Sequence, residues 1–282
     1  MMKKLTLVCA VLLAVLLPSR AQSVRERILM DEDWQFAFGN ASSPEKDFGC
    51  GTEYFNYLTK ATSIHNEGPY SPKFDASKWS ATWKNVNLPH DWVVDLPYAR
   101  EASHSHGYKT VGYKYPETSV GWYRKTFTVS HEDLGKHLYL QFDGIFRDAR
   151  VWVNGFYLGR EPSGYATHTY DITEYLNYGE DNLITVRSDA TLEEGWFYEG
   201  AGIYRHVWLN KVAPVHVVPF GTFIYSTLEA PFDKALLTIE TTVENSGLKV
   251  GDYRLRHILQ DTEGKEVGCC EASGKALLPK ER

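Results

Sequence analysis

The acids Glu193, Glu194 and Glu199 lie in and beside the stretch GWFYEGAGIYRHVWL (Gly195 to Leu209), with Trp196, Phe197 and Tyr198 between them. Carboxylates accept hydrogen bonds from hydroxyls, and aromatic faces suit C–H surfaces. The loop from Asp189 to Glu199 is therefore a candidate wall for a polyhydroxylated ligand. A plainer reading packs the aromatics between sheet and loop, uses Gly200 and Gly202 for a tight backbone path, and makes Tyr204 to Leu209 an alternating strand. His90 and Asp91 invite comparison with a nucleophilic triad. No serine or cysteine nucleophile motif accompanies them, so a hydrogen-bonding role at the corner before Trp92 is expected. His104 and His106 flank one serine without further ligands at metal-like spacing, and no metal site is expected.

The elements that must position these residues are strands. From Trp122 onward GWYRKTFTV, HLYLQFDG and ARVWVNGFYLG alternate between turn signals, the pattern of an all-β sandwich or jelly roll. Asn154-Gly155 predicts a type I′ hairpin, because both residues tolerate positive φ. YDITEYLNYGEDNLITVRS reads as a short helical turn, a turn and a strand. Before Trp122, DEDWQFAFG can form a strand, Asp75 to Trp79 a short turn, and WKNVNLPHDW a strand that meets a Pro-stopped corner. The segment from Asp95 to Thr118, rich in His, Tyr and Gly, has no sustained period and is expected to be a long functional loop. After Pro214 the pattern resets into strands with turns at Asn245-Ser246-Gly247 and Glu263-Gly264. They read as the first half of an immunoglobulin-like sandwich, since about 100 residues are needed for the whole.

Composition narrows the classes. The 282 residues are 43% hydrophobic and 23% charged, enough to bury a core, and a net charge of -6 without a basic stripe argues against nucleic acid as a partner. MMKKLTLVCAVLLAVLLPSRAQS has the basic start, apolar run and small-residue exit of a secretory signal, expected to be cut after Ala21. The run is shorter than the roughly 20 residues a bilayer span needs, so a soluble exported product in the periplasm or outside the cell is expected, with no membrane partner. Cys9 leaves with that signal. Cys50, Cys269 and Cys270 remain, and an adjacent pair plus one is no disulfide framework.

Five sequence blocks carry a resemblance. NLPHDW (Asn87 to Trp92), GWYRKTF (Gly121 to Phe127), FDGIFRDARVWVNGFYLG (Phe142 to Gly159), YDIT (Tyr170 to Thr173) and GAGIYRHVWL (Gly200 to Leu209) occur in the order found in glycoside hydrolase family 2. The chain resembles its exported β-galactosidase-like members from about Met30 to Leu209. The resemblance implies a signal peptide (1–21), a jelly-roll sugar-binding domain (22–212) and a truncated immunoglobulin-like domain (213–282). In the family a catalytic (β/α)8 barrel follows, whose two glutamates perform retaining hydrolysis from about 5 Å apart; no such barrel is read in these residues. Asn66-Glu67 copies the family's Asn-Glu pair but sits in no barrel-like strand, so no catalytic residue is assigned and no cofactor is implied. Relatives often place a substrate-reaching Asp near the position of Trp196, which makes Glu194 or Glu193 the acid here. Substrate contacts are thus expected from Asp189, Glu193, Glu194, Trp196, Glu199, His104 and His106. His90, Asp91, Trp92, Asn154, Gly155 and Gly202 are motif residues with structural roles. Arg147 and Arg205 are expected to bind carboxylates inside the sandwich.

The expected function is the non-catalytic N-terminal region of an exported β-galactosidase-like enzyme, with a β-galactoside glycan and the intramolecular barrel as partners. Two other classes remain open, a stand-alone carbohydrate-binding sandwich and a structural module serving homo-oligomer contacts.

Overall fold

The computed structural model describes residues 25–43, 46–47, 83–193, 195, 197–231 and 234–282. The expected signal segment, Cys50, Asn66-Glu67, the turn expected from Asp75 to Trp79, Glu194 and Trp196 lie outside the described residues. No α-helix is present among the described residues, and none of their helices is long and apolar enough to cross a membrane.

Two antiparallel sheets face each other as a jelly-roll β-sandwich. One has the order β1 (Arg25–Leu29), β10 (Val207–Val212), β5 (His137–Phe142), β8 (His168–Asp171). The other runs β3 (Lys84–Val86), β2 (Trp34–Phe38), β4 (Val120–Thr128), β9 (Asp181–Asp189), β6 (Ala149–Val153), β7 (Phe156–Glu161). Period-two alternation decides which side chains enter the core. Tyr123 of β4, Ile184 and Val186 of β9 and Val151 of β6 point inward to meet Leu138, Leu140 and Phe142 of β5, all fully buried. The intervening residues form a second cluster on the outer face of the larger sheet. There Trp122 and Trp152 stack at 5.7 Å between centroids, beside Ala37 and Val120.

The β6–β7 hairpin turns at Asn154 (φ 50°) and Gly155 (φ 83°), the positive-φ pair a type I′ turn requires. Asn154 also holds the neighbouring chain: its Nδ2 donates to Tyr175 O and to Asn182 Oδ1, and its Oδ1 accepts from Leu183 N. The strand expected from Tyr204 begins only at Val207. Asp31 explains the delay, because its Oδ1 accepts the Val207 N–H at 3.0 Å and its Oδ2 meets His206 Nδ1 at 2.6 Å. Tyr204 instead reaches Gly164 O with its hydroxyl, and Arg205 is exposed.

Beyond β10 lie two two-stranded sheets. One pairs β11 (Val215–Glu229) with β12 (Lys234–Asn245), the other β13 (Gly251–Gln260) with β14 (Glu266–Leu277). They form the immunoglobulin-like part. The β13–β14 turn is held by Asp261 Oδ1, which accepts from Glu263 N and Lys265 N. Large apolar residues of these strands, Phe223, Ile224, Leu236 and Ile258 among them, are exposed.

Burial makes His168 one source of pH-dependent stability. His168 is buried against Phe142, its ring stacked at 5.5 Å. Burial pushes its pKa below the usual value, against the pull of Glu161. The native state therefore binds fewer protons than the unfolded chain, and stability is complete above about pH 6.5. It is lost as pH falls below that value, with a limiting slope of about 1.4 kcal/mol per unit for one proton. Denaturant titrations between pH 7.5 and 5 should show a slope of this sign, and His168→Phe should lessen it by one proton's share while buried His90 and His216 keep theirs.

Candidate functional site

The loops named in the sequence analysis gather at one end of the sandwich, and Asp91 is their anchor. Its Oδ1 accepts from Val93 N at 3.0 Å and from Ala201 N at 2.9 Å, while its Oδ2 accepts from the Tyr198 hydroxyl at 3.1 Å. Burial, then Asp91 itself, push the Tyr198 hydroxyl above its usual pKa, which keeps it a donor. Gly200 is required by that carboxylate, since a Cβ there would lie 2.1 Å from Asp91 Oδ2. Gly202 has φ 123°, and a Cβ would lie 2.3 Å from the Tyr123 hydroxyl. His90 completes the corner, with Nδ1 2.7 Å from that hydroxyl and its N–H donating to Ile203 O. Burial lowers the His90 pKa against the pull of Asp91 and Asp95, so at neutral pH the ring is uncharged. Trp92, buried, donates from Nε1 to Thr118 O.

A second latch ties residues 103–106 to residues 193–199. Ser103 bonds Glu193, Ser105 bonds Gly195 O, Glu199 N donates to Ser105 O at 2.7 Å, and Gly195 N donates to Glu199 Oε1 at 2.9 Å. His106 is fully buried, with Nδ1 2.9 Å from Glu199 O. A carbonyl only accepts, so the proton sits on Nδ1 and Nε2 is left as an acceptor. The latched loops enclose a pocket of about 420 Å³, lined by His104, His106, Tyr108, Tyr113, Glu101 and Glu193 among others. Its one lysine, Lys114, donates to Glu101 O. Tyr98, Phe197 and Tyr198, all exposed, continue this aromatic end of the molecule.

The named candidates thus divide. His104, His106 and Glu193 meet at the pocket, and Glu199 is buried behind it. Asp189 is committed elsewhere: its Oδ1 accepts from Thr191 N and Oγ1, and its Oδ2 from Arg187. Arg147, buried, donates to Leu192 O and so supports the same loop, while Arg205 donates to Asp143 O. The Arg205 bond ends on a backbone carbonyl. Tyr108 and Tyr113 were missed. Exposed tyrosines recurring in a segment without periodicity were the available signal. Among the described residues no group of His, Cys, Asp and Glu is arranged to hold a metal ion.

Residues 74–213 match the family model described as glycosyl hydrolases family 2, sugar binding domain. The chain is 38% identical over 200 residues to the β-galactosidase BoGH2A of Bacteroides ovatus, covering 71% of this chain and 23% of that protein. It is 36% identical over 183 residues to a putative β-glucuronidase of Formosa agariphila, covering 64% of this chain and 17% of that one. Among solved structures, a glycosyl hydrolase family 2 member from Bacteroides cellulosilyticus superposes with a TM-score of 0.69 at 27% identity, over 89% of this chain and 28% of its own. A β-glycosidase from Bacteroides vulgatus gives 0.68 at 27% identity, over 88% and 28%. The chain therefore spans about a quarter or less of the length of these two curated relatives.

Proposed function

Because this chain carries the sugar binding domain of glycosyl hydrolase family 2, we propose that it is the N-terminal, non-catalytic region of an exported β-galactosidase. In the whole enzyme its latched loops complete the sugar site of a (β/α)8 barrel that supplies both catalytic carboxylates. The observation that carries this reading is the pocket between residues 101–115 and 191–193, where exposed tyrosines stand beside hydrogen-bonding groups held by a buried latch. Aromatic faces take the C–H surface of a sugar, and an exposed acceptor such as Glu193 suits its hydroxyls. The pocket has two carboxylates, Glu101 and Glu193, against one lysine engaged with a backbone carbonyl. That balance suits a neutral galactoside better than a uronate. The basic start and apolar run before Ala21 support export.

The test is an assay of this chain beside the product of the complete open reading frame, with nitrophenyl β-galactoside and β-glucuronide. Hydrolysis of the galactoside by the longer protein alone is the expected result. Equal turnover of the glucuronide would remove the galactoside assignment. A second reading, a stand-alone carbohydrate-binding sandwich, is favoured by the pocket lying wholly within these residues, and predicts measurable sugar binding by this chain alone.

A further inference from the structure

Where the sandwich meets the immunoglobulin-like part, two imidazoles stack. His137 opens β5 and His216 lies near the start of β11; their rings are 6.4 Å apart and 25° from parallel. His216 is buried at 3% exposure. Its Nδ1 lies 3.3 Å from Pro214 O, a group that only accepts, so Nδ1 carries the proton. Its Nε2 then accepts from the Tyr139 hydroxyl at 3.4 Å. Burial, and then Asp171, push the Tyr139 pKa up to about 12, which keeps that hydroxyl a donor throughout the physiological range. Both ring nitrogens of His216 are thus committed in its neutral form. A further proton would set a donor against a donor and a cation against the neighbouring imidazole.

We propose that the His137–His216 stack is an acid-sensitive latch, holding the immunoglobulin-like part on the sandwich near neutral pH and releasing it in mild acid. A cleft of about 1310 Å³ runs beside the stack and gives the two parts room to move. From the sandwich it is lined by Lys136, His137, Asp171 and Glu174, and from the other side by Glu244, Lys249, Lys280 and Arg282. Arg25 of β1 and Glu244 of β12 complete the charged groups around Tyr139 and His216. Cations therefore outnumber acids around the pair. His137, the more exposed ring, has Asp171 Oδ2 3.3 Å from its Nδ1. His216 instead has neutral groups on both ring nitrogens, Pro214 O and the Tyr139 hydroxyl.

The sign follows from the direction of the His216 shift. Burial is the main cause of its lowered pKa, with the neighbouring His137 acting the same way against Pro214 O and Glu244. The closed junction binds fewer protons than the open one, whose histidine titrates near its ordinary value of about 6.5. Closure is complete above that value and weakens as pH falls below it.

The test is small-angle scattering of this chain from pH 7.5 to 5, with limited proteolysis at the link between Val212 and Val215 and near-UV circular dichroism to follow the sandwich. The radius of gyration should rise reversibly below about pH 6.5, and cleavage should increase up to about tenfold per pH unit, while the near-UV signal persists. His216→Gln keeps an acceptor for Tyr139 without a titratable group and should give a flat profile, as should His137→Gln in part. A wild-type chain with no change in radius would overturn the proposal, and so would a rise that survives His216→Gln. Neither outcome touches the sugar-site reading, which rests on the opposite loops.

Discussion

Arg187→Ala should cost the fold about 3–5 kcal/mol in denaturant unfolding, the largest loss expected from any single side chain here. Arg187 lies on the outer face of the larger sheet with 6% of its side chain exposed, and its Nε donates to Asp47 Oδ2 at 2.9 Å, where the carboxylate is 1% exposed. Trp122 Nε1 donates to the other oxygen of Asp47 at 2.6 Å, and Asp189 takes a second nitrogen of Arg187 at 3.1 Å. Burial pushes the Asp47 carboxyl above its usual pKa despite the pull of Arg187. Desolvation therefore outweighs attraction at Asp47, and the penalty for the single variant comes from the carboxylate left alone. The double variant Asp47→Leu with Arg187→Met should recover most of the loss, since replacing a whole buried pair is often neutral or stabilising. A double variant as unstable as Arg187→Ala would show that the pair itself, not the orphaned charge, sets the energy.

Asp91→Ala comes next, with an expected loss of about 2–4 kcal/mol, because it strands the amides of Val93 and Ala201 and the hydroxyl of Tyr198. Its effect should be local as well as global. Hydrogen exchange should accelerate across residues 195–201 before it does in β4 or β9. A cycle with Gly200→Ala makes the cause visible. Alanine at 200 collides with the Asp91 carboxylate in the native protein and loses its three nearest contacts once that carboxylate is gone. The two variants should therefore be strongly non-additive, and simple additivity would mean that Gly200 serves some other purpose.

These positions also mark what the sequence could disclose. Asn154-Gly155 announced its turn because the positive φ is a local demand met by local chemistry. The alternating runs disclosed β4, β5 and β6 in the same way, since period two is a property of neighbours. Gly200 and Gly202 were legible as a tight passage, but the objects they make room for, the Asp91 carboxylate and the Tyr123 hydroxyl, arrive from distant segments. Asp47 and Arg187 are separated by 140 positions, and no pattern in either neighbourhood announces the bond. The late start of β10 has the same origin, a carboxylate from Asp31 taking an amide that alternation alone assigned to the ladder. In the candidate site, composition pointed to the loops that line the pocket and to His104, His106 and Glu193, whereas Asp189 looked identical in sequence and is spent on a turn and on Arg187. Tyr113 went unnoticed because exposure, not residue type, is what makes it a candidate.

The reading of the loop end as part of a galactoside site is tested most directly by the kinetics of the complete enzyme carrying Tyr113→Ala. Tyr113 is 72% exposed, so its removal should leave stability within about 0.5 kcal/mol of the parent. With the loops against the substrate, kcat/KM for a β-galactoside should fall at least about tenfold, a loss of about 1.4 kcal/mol of transition-state binding. An unchanged kcat/KM in a stably folded variant would place the sugar elsewhere and contradict the account.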